Sequence, residues 1–71
     1  MSYCIKRKAK ITDKLYDVTY IALFVDKNIF TLKSDIREAF SFQTKEEAEK
    51  WLNGNQALTS DKTIYSVVEV S

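Results

Sequence analysis

Lys6, Lys8 and Lys10 recur at every second position of the stretch Ile5-Lys6-Arg7-Lys8-Ala9-Lys10, which packs four cations into six positions. Side chains two residues apart on an extended chain leave the same side, so these ammonium groups form a row. A basic strand with tyrosines near it can hold single-stranded nucleic acid, cations taking phosphates and rings taking bases. Lys6, Lys8 and Lys10 are therefore the candidate nucleic-acid contacts. Two plainer readings stand beside that one. A lysine row is also an ordinary solvated strand face, and on a terminal strand it discourages edge-to-edge pairing. The segment through Lys14 carries five cations and one anion, the remainder six cations and nine anions, for a net charge of +1. So small a net charge gives little long-range attraction for a polyanion.

Other chemistry lacks its reagents. The chain has no histidine, so its Ser, Thr and Tyr hydroxyls have no customary base to activate them. A single glycine offers no phosphate-cradling loop. Cys4, the only cysteine, has no disulfide partner within the chain and no histidine with which to share zinc. It reads as a small apolar side chain near the start of a strand. Glu46, Glu47 and Glu49 read as solvated charge, because paired carboxylates need a cleft to perturb them. Neither enzyme activity nor a cofactor or metal is expected. No apolar run approaches the roughly 18 residues of a membrane span, and the N-terminus lacks a signal-peptide core. The expected location is the cytoplasm, with no membrane partner.

The elements that must position the lysines follow from periodicity. Residues 1–71 are read as a single domain, near the lower size limit for one core without disulfide, metal or oligomerisation. Tyr3, Ile5, Ala9 and Ile11 share one parity and the lysines the other, the mark of a half-buried strand, with Arg7 the exception. Thr12-Asp13-Lys14 reads as a turn, and β-branched and aromatic residues from Leu15 to Val25 as a second strand. A two-residue loop at Asp13-Lys14 would set Thr12 opposite Leu15, Lys10 opposite Asp17, Ala9 opposite Val18 and Ile5 opposite Ala22. A three-residue turn ending in a left-handed Asn28 would then lead into a third strand, with Phe30 and Leu32 on the Tyr20, Ala22 and Phe24 side. Residues 35–42 admit either a helical turn opened by Asp35 or a short extended piece. Thr44 with Glu47 is a capping box opening a helix over 45–53, and Gly54 stands where a stop is expected. Ala48, Trp51 and Leu52 share its inward side. Residues 55–61 read as loop and 63–70 as the last strand. The expected fold is α+β, β-β-β-α-β, with antiparallel hairpins forming a four-stranded sheet and one helix on one face.

One short helix covers one face only. On the parity count, Tyr3, Ile5, Ala9, Ile11, Tyr16, Val18, Tyr20, Ala22, Phe24, Phe30 and Leu32 point to the helix. Ile21, Leu23, Val25 and Ile29 point outward beside the lysines. A contiguous apolar patch on a small domain marks an interaction site, so these four are the candidate protein-binding residues, for another protein or a second copy. The same count sets most tyrosines on the side away from the lysines, which weighs against nucleic acid. Either a register slip of one residue or a covering loop would remove the patch.

Ala39-Phe40-Ser41-Phe42-Gln43-Thr44-Lys45-Glu46-Glu47-Ala48-Glu49-Lys50-Trp51-Leu52 resembles the A-x-x-F-x-T-x-E-E-A stretch of small phage and prophage accessory proteins of low-GC Gram-positive bacteria. The likeness is close over these residues and extends elsewhere only to element order. The nine lysines against two arginines agree with an AT-rich genome. The resemblance implies a small protein that works by binding, often by blocking a host nuclease, defence or polymerase component. It carries no functional residues over, because the shared positions are structural. Three expectations result: a phage-type inhibitor acting by protein contact as monomer or homodimer, a weak nucleic-acid binder using the basic strand, and a structural subunit of a virion or larger complex.

Overall fold

Four strands, one 3-10 turn and one helix make up the computed structural model, which describes residues 1–26, 29–55 and 59–70. Strands β1 (Ser2–Lys10), β2 (Tyr16–Asp26) and β3 (Ile29–Lys33) are followed by the turn Ile36–Glu38, helix α1 (Lys45–Gly54) and β4 (Thr63–Val70). The sheet order is β3-β2-β1-β4, antiparallel throughout, with the helix packed against one face. The α+β class expected from the sequence is the observed one.

The register of the first hairpin is not the expected one. The Leu15 carbonyl accepts from the N–H of both Ile11 (2.9 Å) and Thr12 (3.1 Å), so two residues of one arm oppose one of the other. Thr12 does face Leu15, as expected. The extra residue then shifts the ladder by one, giving Lys10↔Tyr16, Lys8↔Val18 and Lys6↔Tyr20. Because strand side chains alternate, a slip of one residue exchanges every side chain between faces. Tyr16, Val18 and Tyr20 therefore join the lysines, and Ile21 turns to the helix side. Lys10 meets Tyr16 rather than Asp17, and its ammonium lies 3.4 Å from Asp13 in the turn. Ile11, expected inward, is exposed in the turn.

A second irregularity reverses the first. Ile21 pairs with Leu32 and Leu23 with Thr31, leaving Ala22 as an extra residue on β2. Beyond it Leu23 points out and Phe24 points in, as the parity count expected, with Phe30 and Leu32 beside Phe24 on the helix side. Here β1 and β2 also part. Their ladder stops at Lys6↔Tyr20, and Tyr3, which the register would set opposite Leu23, exchanges both backbone bonds with Phe42 (3.0 and 2.7 Å). Phe40 N–H donates to the Ile21 carbonyl at 2.8 Å. Residues 40–42 thus wedge into the opening between the strands. Of the two readings of 35–42, both hold in part: Asp35 caps a 3-10 turn by accepting from Arg37 N–H, and the chain then runs extended to Phe42.

Ile5, Ile21 and Ala48 are fully buried at the centre of the core. Removing one isoleucine side chain from water stabilises by about 1.5–3 kcal/mol. Around them Phe24 meets Phe30, Phe40, Phe42 and Trp51 edge-on, at centroid separations of 6.0, 5.1, 6.2 and 5.4 Å. Thr44 caps α1 by accepting from Glu47 N–H at 3.2 Å, as the sequence leads one to expect. Gly54 is the last helical residue rather than a left-handed stop, and Asn55 closes the helix instead. Its N–H donates to the Leu52 carbonyl at 3.1 Å and its Nδ2 to the Trp51 carbonyl at 2.8 Å. The left-handed Asn28 expected in the second turn lies outside the described residues.

Candidate functional site: the outer face of the sheet

Lys6, Lys8 and Lys10 stand on the sheet face opposite the helix, as the alternation predicts. Their cross-strand neighbours on β2 are Tyr20, Val18 and Tyr16, and on β4 Lys6 and Lys8 meet Ser66 and Ile64. Lys33 pairs with Tyr20 from the far side and extends the cationic line to β3. The Lys8 ammonium lies 4.3 Å from the centroid of the Tyr16 ring, a cation–π contact on an exposed surface. Between Tyr16 and Tyr20 on β2 and between Ile64 and Val70 on β4, the side chains on this face include no carboxylate. Asp17 and Glu69 have the other parity and lie on the helix side.

Two readings of the lysine row change with this geometry. Tyrosines and lysines share a face, so the expectation that stacking and phosphate contact would fall on opposite sides is overturned by the slip at Leu15. The row also does not guard an edge, because β1 lies inside the sheet between β2 and β4. Of the four tyrosines, Tyr3 and Tyr65 pack on the core side.

The proposed apolar patch survives in three of its four residues. Leu23, Val25 and Ile29 are 58%, 69% and 60% exposed. Ile21 is fully buried against Ile5 and Ala48, so it belongs to the core and not to the patch. The one-residue shift is again the cause. What remains is an apolar sector at the end of the β2–β3 hairpin, continuous with the lysine–tyrosine sector through Thr31 and Lys33.

Elsewhere the chemistry is quiet. Cys4 is a free, fully buried thiol, and burial pushes its pKa up. Alternation sets it on the lysine side, so the open part of that face begins at Lys6. A cleft beside the first turn is lined by Lys10, Ile11, Thr12, Asp13, Asp61 and Lys62, whose two cations and two anions balance and favour neither kind of ion. Asp35 and Arg37 form a bidentate pair (2.8–3.1 Å); the side-chain hydrogen bond from Arg37 holds the carboxyl below the usual carboxylate range. Among the described residues no three His, Cys, Asp or Glu side chains gather as metal ligands, and no helix is long and apolar enough to cross a membrane.

Comparison with family models, curated proteins and solved structures finds no match for this chain. The functional reading therefore rests on the face just described.

Proposed function

We propose that the chain is a noncatalytic, cytoplasmic binding module that holds single-stranded nucleic acid on the outer face of its sheet. Lys6, Lys8, Lys10 and Lys33 take phosphates, and Tyr16 and Tyr20 offer rings for stacking. The observation that carries this reading is the direct pairing of Lys6 with Tyr20 and Lys10 with Tyr16 on one face, where the side chains from Tyr16 to Tyr20 and from Ile64 to Val70 include no carboxylate. Phosphate contacts made by flexible lysines set affinity without reading sequence, and base–ring stacking tolerates every base. The modest net charge of +1 makes this a weak, salt-sensitive association.

Binding of a fluorescent oligothymidylate across a salt series tests it. Affinity should fall with salt, and Lys8→Glu should lower the slope of log K against log salt by about 0.7 for each phosphate that the variant no longer neutralises. Absence of binding at low ionic strength would refute the reading.

A second reading is favoured by the exposure of Leu23, Val25 and Ile29. In it the hairpin sector docks on a protein, and the phage-type resemblance makes a host enzyme component the natural target. Leu23→Ser with Val25→Ser then abolishes capture of that partner and leaves oligonucleotide binding unchanged.

A further inference from the structure

The two edges of this sheet are not alike. β3 is five residues long, ends in a lysine, and pairs with a strand that carries two register shifts. Short, bulged and charged edges of this kind resist pairing with another chain. β4 is eight residues long, pairs with β1 without a break, and has Glu69 as its only charged residue. It carries neither proline nor lysine, so it lacks those usual guards.

Backbone directions on β4 follow from the ladder. Lys10 N–H donates to the Lys62 carbonyl at 2.7 Å, so the even-numbered residues of β4 exchange bonds with β1. The odd-numbered residues then turn their N–H and C=O groups to the open side. Thr63 is the exception, because it already exchanges bonds with Ser60 there (3.3 and 2.8 Å). At Tyr65, Val67 and Glu69 no described residue meets these groups.

We propose that two copies of this chain pair antiparallel through β4, about a two-fold axis at Val67, to form a continuous eight-stranded sheet. The axis follows from which outward groups each register can pair. Centred on Tyr65 or Ser66, the ladder would need Thr63, whose groups Ser60 already holds. Centred on Val68, it would leave Tyr65 without a partner inside β4. Centred on Glu69, it would set two carboxylates against each other. Centred on Val67, it sets Val67 opposite its own copy and Tyr65 opposite Glu69, so every outward N–H meets an outward C=O. On the outer face the same register sets Ile64 against Val70 and Ser66 against Val68. Ile64, 53% exposed in the single chain, gains an apolar neighbour. A perpendicular two-fold axis keeps both helices on one side and both lysine rows on the other. This inference concerns an edge, and it stands whether or not the outer face binds nucleic acid.

Sedimentation equilibrium and amide hydrogen exchange on the full chain test it together. The expected result is a two-chain mass that dissociates on dilution, with the Tyr65, Val67 and Glu69 amides protected only in the associated form. Glu69→Pro removes an outward N–H without taking a bond from β1, so it should give a folded monomer. Should that variant fail to fold by circular dichroism, Ile64→Glu with Val70→Glu decides instead. It opposes carboxylates across the axis while Lys8 beside Ile64 supports the single chain. A single-chain mass at the highest soluble concentration would overturn the proposal. So would a dimer that persists in either folded variant, or one in which those three amides exchange as fast as in the monomer.

Discussion

The Lys8 ammonium sits over the Tyr16 ring at 4.3 Å, two strands meeting side chain to side chain on the face that the helix leaves bare. The contact keeps the cation against one face of the ring and leaves a base only the other. Tyr16→Ala should weaken oligothymidylate binding by about 1–3 kcal/mol if one base stacks there, whereas Tyr16→Phe should retain it. Fluorescence titration at fixed salt separates the two variants.

Ile21 and Leu23 are two residues apart and differ completely in surroundings. Ile21→Ala should cost about 2–5 kcal/mol, a large part of the stability of so small a domain. Leu23→Ala, at 58% exposure, should stay within about 0.5 kcal/mol of the parent. Urea unfolding midpoints at unchanged m-value report both, and equal losses at the two sites would mean that the bulge at Ala22 is misplaced.

How much of this was legible in the sequence depends on where alternation was strict. Lys6, Lys8 and Lys10 alternate with Ile5, Ala9 and Ile11, Arg7 being the one break, and left one choice of face; the Thr44–Glu47 spacing marked the helix start to the residue. Tyr20-Ile21-Ala22-Leu23-Phe24-Val25 is apolar without interruption, so parity there had nothing to distinguish in from out. The double acceptance by Leu15 left no mark either, because Ile11 and Thr12 fit a turn as readily as a strand end. Its effect was nonetheless large: it moved Ile21 into the core and two tyrosines onto the lysine face. The extra residue at Ala22 then restored Phe24 and Leu23 to the faces that simple counting gives them.

Thr44 caps α1 through its side-chain oxygen, which accepts from Glu47 N–H at 3.2 Å. Thr44→Ala should destabilise by about 1 kcal/mol, and Thr44→Ser should restore most of that. Thermal melts followed at the helix band of the circular dichroism spectrum provide the measure.

Cys4 should resist alkylation in the folded chain and react at once in urea, because its thiol is fully buried. Burial raises its folded pKa above the unfolded value. Between those two values the unfolded chain has released a proton that the folded chain keeps, so unfolding gains as pH rises. The thiol's contribution is whole below the unfolded pKa and is lost as pH climbs through the folded one. Cys4→Ala should flatten the alkaline end of the stability profile, read as unfolding midpoint against pH.

Of the four strands described, β1 is made before the others, yet it occupies an interior position and needs β4 to complete its ladder, with Ser2 opposite Val70. A nascent chain can close the β1–β2–β3 meander, but half of the β1 backbone must wait in water until β4 emerges. Contacts this distant in sequence slow the search for the native state. Trimming even a few residues from the end of β4 should therefore leave a protein that is made in full measure and removed by proteolysis before it assembles.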